Sequence, residues 1–172
     1  YADRDRQLEQ LPLDEYRAAS RRAAARGMVL LKNNGLLPLK PDARRIAVIG
    51  PYAHERRTML GSWVNDILAD EPGTLADALR AALPEVQILT APSGLYDEML
   101  MAAAEADVVV LALGESHALN GEYNCVASIE LPAGQQALFD ALAGLGKPLA
   151  VVVYTGRPVA LTRIAPQADA LL

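Results

Sequence analysis

The chain has 172 residues, enough for one domain with a sizeable core. Hydrophobic residues make up 52% and aromatics only 5%, so that core is expected to be aliphatic with many small side chains. The net charge of -5 offers no general attraction to nucleic acid or to an anionic membrane surface, and no apolar run approaches the ~20 residues that span a bilayer.

In chain order, residues 1–13 are charged, punctuated by Pro12, and read as an arm or linker ahead of a domain over 14–172. The opening lacks the basic and apolar regions of a signal peptide. The first residue is not Met and the last stretch, "APQADALL", stops inside an apolar pattern, so a piece of a larger protein is expected. Asp14 to Lys32 is rich in good helix formers, with Asp14 and Glu15 in the first turn. On that helix Tyr16, Ala19, Ala23, Gly27, Leu30 and Leu31 share a face, while Arg17, Arg21 and Arg22 lie on solvated ones. "NNGLLPLKPDA" follows as a turn-rich loop.

Arg45–Gly50 is a short β-branched strand ending in Gly-Pro. Thr74–Pro84 is a helix with an N-cap residue, Val86–Pro92 a second strand and Leu95–Ala106 a second helix of this region. Asp107–Gly114, "DVVVLALG", is the third strand; Pro132–Gly146 is a helix opened by proline and closed by glycine; Pro148–Gly156 is the fourth strand. The final "ALTRIAPQADALL" suggests a short helix and the start of another element. Strands alternate with helices and are apolar throughout, which predicts an α/β fold: a mainly parallel, helix-covered sheet in three layers, a flavodoxin-like sandwich. Such sheets bind ligands beyond the carboxyl ends of their strands, here "GPYAHERR", "APSG", "GESHALNGEYN" and "TGRP".

Those loops exclude several chemistries. The stretch "GPYAHERRTMLG" after the first strand fits neither a dinucleotide fingerprint nor a P-loop, and Pro51 removes a backbone donor that a phosphate would need. His54 and His117 lie in different loops and Cys125 stands alone, with no metal-ligand spacing and no partner for a disulfide, so neither metal nor cofactor is expected. G-x-S-x-G is absent. What remains is the loop after the third strand, with Glu115, His117, Glu122 and Tyr123. A carboxyl group there, partly desolvated by an adjoining body, could hold a proton for general acid catalysis; read alone, the two glutamates are also consistent with ordinary solvated loop acids.

"GMVLLKNNGLLPLKPDARRIAVIGPYA", "MLGSW", "DVVVLALGESHALNGEYN" and "IELPAGQQALFDALAGLGKPLAVVVYTGRPVAL" occur in this order. Together, over about Ala18 to Leu172, they resemble the second domain of glycoside hydrolase family 3, the β-glucosidase family. The resemblance implies a six-stranded α/β sandwich that packs beside an N-terminal (β/α)8 barrel of the same parent chain. The barrel supplies an aspartate nucleophile, and this domain lends a loop carrying the acid/base glutamate. By position that glutamate is Glu122, with "GE" at Gly114–Glu115. Trp63 matches a tryptophan of the family's G-[GS]-W segment near the sugar site.

On this resemblance the substrate is a terminal β-linked sugar, glucose or xylose, and the isolated chain is expected to be inactive. Trp63 and Tyr123 are candidates to stack on the sugar, simple packing under a loop being equally open for Trp63. Glu115 and His117 belong to the same substrate site, with a supporting role favoured. Many relatives carry Ser-Arg and an Asp shortly after the glutamate, where this chain has "NCVAS" (Asn124–Ser128). Export is common in the family, but its signal would lie upstream, so periplasm, secretion and cytoplasm all stay open. Two other classes are a flavodoxin-like module binding an unrelated small ligand, and a domain that only supports the barrel.

Overall fold

The computed structural model describes residues 5–6, 13–40, 43–64, 73–132 and 134–172. Of the arm expected over 1–13, all but Asp5, Arg6 and Leu13 lie outside the described residues. Six strands form one sheet: β1 (Lys32–Asn33), β2 (Arg45–Ile49), β3 (Gln87–Leu89), β4 (Val108–Gly114), β5 (Leu149–Tyr154) and β6 (Ala170–Leu171). Their order across the sheet is β1-β6-β5-β4-β2-β3. Every neighbouring pair is parallel except β1 with β6. Among the described residues, the helices that accompany them from residue 13 onward are α1 (Leu13–Gly27), α2 (Leu75–Ala82), α3 (Tyr96–Glu105) and α4 (Gln135–Ala143).

The apolar strands divide their side chains between two faces, as the pleat requires. Ala47, Ile49, Val109, Leu111, Leu113 and Val151 point to one face and meet Met99 and Ala103 of α3 and Leu138, Phe139 and Leu142 of α4. Ile46, Val48, Val108, Val110, Ala112 and Ala150 point to the other and meet Ala76 of α2 and Leu36, Leu37 and Leu39. All seven residues of β4 are buried, so the central strand needs cover on both sides. The result is the three-layer sandwich expected from the alternation of elements. Phe139, the chain's only phenylalanine, is fully buried on the α3 and α4 side of the sheet, and Tyr52 is buried on the other side.

Several boundaries differ from those read in the sequence. Helix α1 ends at Gly27 and not at Lys32. Met28 to Leu31 leave the helix because the chain is captured by the sheet edge: the Leu31 N–H bonds the Leu171 carbonyl at 2.8 Å and the Asn34 N–H bonds the Asp169 carbonyl at 2.7 Å. The shared apolar face expected on α1 is therefore cut short, and no residue of the helix is buried. Helix α2 starts where expected: Thr74, in extended conformation, accepts a 3.0 Å bond from the Asp77 N–H. Helix α4 begins at Gln135 rather than Pro132, because Gly134 takes a left-handed φ of 87°. The tail forms turns and then β6 rather than a helix.

Among the parallel strands the order is β3-β2-β4-β5-β6, so the direction of winding reverses between β2 and β4. That reversal opens a crevice beyond their carboxyl ends, where two successive loops diverge to opposite faces.

Candidate functional site

The crevice is bordered by the loops after β2, β4 and β5. A cavity of about 400 Å³ lies there, lined by Thr58 to Trp63, Glu115, His117, Asn120, Gly121 and Tyr154 to Gly156. The register between β4 and β5 builds it. Gly114 pairs with Tyr154, so the next residues, Glu115 and Thr155, leave the sheet side by side. Gly114 is required at this crossing: an added Cβ would stand 2.0 Å from the Tyr154 carbonyl oxygen. The Glu115 N–H extends the ladder with a 2.8 Å bond to that same carbonyl.

Gln135 fastens the crossing from the other side. Its side-chain Nε2 donates to the Gly114 carbonyl at 2.7 Å, and its Oε1 accepts from the Gly114 N–H at 2.8 Å. One amide thus satisfies both main-chain groups of a buried residue, using the donor and the acceptor that a glutamine offers together. In the sequence "LPAGQQ" the first Gln is thus the strand's clamp.

Glu115 is 1% exposed. The Arg157 guanidinium pairs with its Oε1, and the Thr155 hydroxyl lies 3.4 Å from its Oε2. The same Arg157 Nη2 donates to the Ser128 carbonyl at 3.0 Å. Beyond Ser128, the Ala160 N–H bonds the Ile129 carbonyl at 2.7 Å, and Glu130 and Ala160 form a parallel bridge. The excursion 115–128 is therefore tied down where it leaves β4 and where it returns. Burial, followed by the charges of Glu55 and Glu115, raises the phenol of Tyr52 above its ordinary range, and burial alone raises Tyr154. Their rings stand 6.2 Å apart beside the cavity and remain neutral at physiological pH.

The residues singled out from the sequence occupy distinct positions. Glu115 is internal. His117 is half-buried at the start of a 3-10 turn (His117–Leu119), with Nδ1 3.4 Å from the Thr58 hydroxyl. Trp63, also on the cavity wall, is 75% exposed. Glu122 and Tyr123 follow Gly121 outward; Glu122 is exposed and Tyr123 is 96% exposed. No described residue bonds the Glu122 side chain. The structure thus joins Trp63, Glu115 and His117 around one cavity, while Glu122 and Tyr123 are not among the residues that line it and follow Gly121 as exposed chain.

Four residues at the site escaped the sequence reading: Thr58, Ser62, Asn120 and Arg157. Asn120 Oδ1 and Arg157 Nε are buried without hydrogen-bond partners among the described residues. For Arg157 a signal existed, since "TGRP" ends the strand next to the one that ends in "GE".

The sequence model of the glycosyl hydrolase family 3 C-terminal domain matches residues 28–172. A periplasmic beta-glucosidase from Salmonella typhimurium is 34% identical over 91% of this chain and 24% of its own length. A beta-xylosidase from Formosa agariphila is 32% identical over 92% of this chain and 24% of its own. The crystal structure of beta-glucosidase from Listeria innocua superimposes with a TM-score of 0.85, at 31% identity, over 98% of this chain and 24% of that one. The chain spans about a quarter of the length of these proteins.

Proposed function

The chain belongs to the glycosyl hydrolase family 3 C-terminal domain family, and on that premise we propose that it is the part of a retaining β-glycosidase that presents the general acid/base, Glu122. The domain is residues 14–172, with 1–13 as the arm before it. The rest of the site, including the attacking aspartate, belongs to a (β/α)8 barrel elsewhere in the parent chain. The substrate is a terminal β-linked sugar, glucose or xylose, which are the sugars in the names of the relatives.

The observation that carries this reading is the contrast between Glu115 and Glu122. Glu115 is buried and ion-paired, so its carboxylate is committed to the fold. Glu122 stands exposed on the excursion that Glu115 and Arg157 anchor. An acid catalyst shared between two bodies needs that arrangement: firm attachment behind, and open space in front for the partner and substrate. Retaining hydrolysis places two carboxyl groups roughly 5 Å apart, and here domain packing sets their separation. Glu122 protonates the departing glycosidic oxygen while the aspartate attacks the anomeric carbon; it then removes a proton from the water that releases the sugar. Cover by the barrel excludes bulk water from the loop during the reaction. Trp63 and Tyr123 offer aromatic faces for the apolar side of a sugar ring. Glu115 and His117 support the loop from behind.

Glu122→Ala in the full-length enzyme tests the reading. Activity on alkyl glycosides, whose leaving groups need protonation, should fall by about a hundredfold or more. Hydrolysis of a 2,4-dinitrophenyl glycoside should be partly restored by azide, which replaces the base-activated water. A nearly silent substitution would leave the domain as a structural support only.

A further inference from the structure

We propose that Ser62 is a positioning residue for Glu122, clasping the loop that carries Trp63 to the loop that carries the acid/base. This deepens the function proposed above and rests on it. Ser62 precedes Trp63 directly, and its hydroxyl donates to the His117 carbonyl at 2.9 Å across the crevice. That carbonyl also accepts the Asn120 N–H at 3.2 Å, which closes the 3-10 turn His117–Leu119. The bond from Ser62 therefore grips the turn at the point that sets the direction of the chain toward Glu122.

A steric contact reinforces the grip. Gly121, the residue before Glu122, has a left-handed φ of 101°, and a Cβ added there would stand 3.1 Å from the Ser62 Cβ and 3.4 Å from its Oγ. Gly121 thus lies against Ser62 with no room for a side chain between them. A third tie runs from the Thr58 hydroxyl to His117 Nδ1 at 3.4 Å. On the β2 side, Arg57 Nη1 donates to the Gly61 carbonyl at 3.3 Å, steadying the turn from which Ser62 projects. The two sides of the clasp end one residue from Trp63 and one residue from Glu122. Neither of those side chains holds the other; Ser62, His117 and Gly121 fix the distance between the aromatic face and the acid.

A hydroxyl that only braced the fold would affect all substrates alike. One that aims Glu122 affects the reactions that need a proton, because a displacement of about 1 Å at a reacting group costs up to a hundredfold in rate. In the full-length enzyme, Ser62→Ala should lower kcat/KM for an alkyl glycoside about tenfold and leave that for a 2,4-dinitrophenyl glycoside within about twofold. The losses should not multiply: Ser62→Ala combined with Glu122→Ala should be no slower on the alkyl glycoside than Glu122→Ala alone. Thr58→Val should show the same leaving-group signature more weakly, and it carries the test if the Ser62 variant does not fold. Equal losses on both substrates, or multiplying losses in the double variant, would overturn the assignment of Ser62 while leaving Glu122 as the acid/base. A silent Glu122→Ala would instead remove the proposed function itself, and this inference with it.

Discussion

Arg157 holds Glu115 and Ser128 with a single guanidinium nitrogen, so one cation from the end of β5 secures both the departure and the return of the loop after β4. The relationship is close to internal: Glu115 is 1% exposed and the Arg157 side chain 21%. Removing the arginine strands a carboxylate in a site it cannot leave. Arg157→Ala is expected to destabilise the fold by about 3 kcal/mol or more, measured as a shift in the denaturant midpoint. Arg157→Lys should recover part of this, since an ammonium restores the charge on a side chain of different length and shape. A loss below about 1 kcal/mol for the alanine variant would show that the pair contributes no more than a surface contact.

Gln135 offers a sharper test of local structure. Gln135→Ala leaves the N–H and carbonyl of Gly114 without their side-chain partner, at an expected cost of about 2 kcal/mol or more. Gln135→Glu keeps an acceptor but loses the Nε2 donor, so it should not restore stability at neutral pH. Hydrogen exchange at the Gly114 amide should quicken in the alanine variant; unchanged protection would contradict the clamp.

The isolated chain should bind and process substrate poorly, because the proposed chemistry needs an aspartate that lies outside it. Purified residues 1–172 are expected to show no hydrolysis of an aryl β-glucoside above the rate of the Glu122→Ala protein. Appreciable turnover dependent on Glu122 would require a nucleophile within this sequence.

Acid should weaken the fold through two aspartates. Asp107 accepts 2.9 Å bonds from the N–H groups of Arg45 and Arg44, which hold its carboxyl below the ordinary value of 3.8. Asp77 is lowered too, first by its hydrogen bond with Thr74 and then by Arg56 and Arg80, against the opposing effect of burial. With the folded value below the unfolded one, the unfolded chain binds more protons in acid. The stabilisation is complete above the unfolded value and disappears as pH falls through the folded value. The unfolding midpoint should hold above about pH 5 and decline below about pH 4, and Asp107→Asn should make that decline shallower. An unaltered slope would remove Asp107 from the acid response.

The parts of this molecule readable from the sequence are those decided locally. Val108 to Gly114 announces a buried strand by composition, and Thr74 announces a helix start by its side chain. The strands Lys32–Asn33 and Ala170–Leu171 carry no such pattern, because each exists through pairing with a segment distant in sequence. Helix α1 was expected to run on to Lys32 for the same reason: propensity favours continuation, and capture of Leu31 by Leu171 prevents it. At the site, Glu122 and Glu115 look alike in sequence. The register of Gly114 with Tyr154 brings Arg157 to Glu115 and leaves Glu122 in solvent. Ser62 lies inside the matched G-[GS]-W segment, but its role could not be read there, since its partner is a main-chain carbonyl and any residue supplies one.

No residue of helix α1 is buried, so among the described residues its helical form rests on its own backbone and on short-range pairs such as Arg17 with Asp14. A helix of that length is marginal in water without packing. It carries Arg17, Arg21, Arg22 and Arg26, all in solvent, each a cleavage point for trypsin. Brief digestion of the isolated chain should therefore shave it back to a protease-resistant body beginning near Gly27, while a partner seated over the helix would spare those bonds.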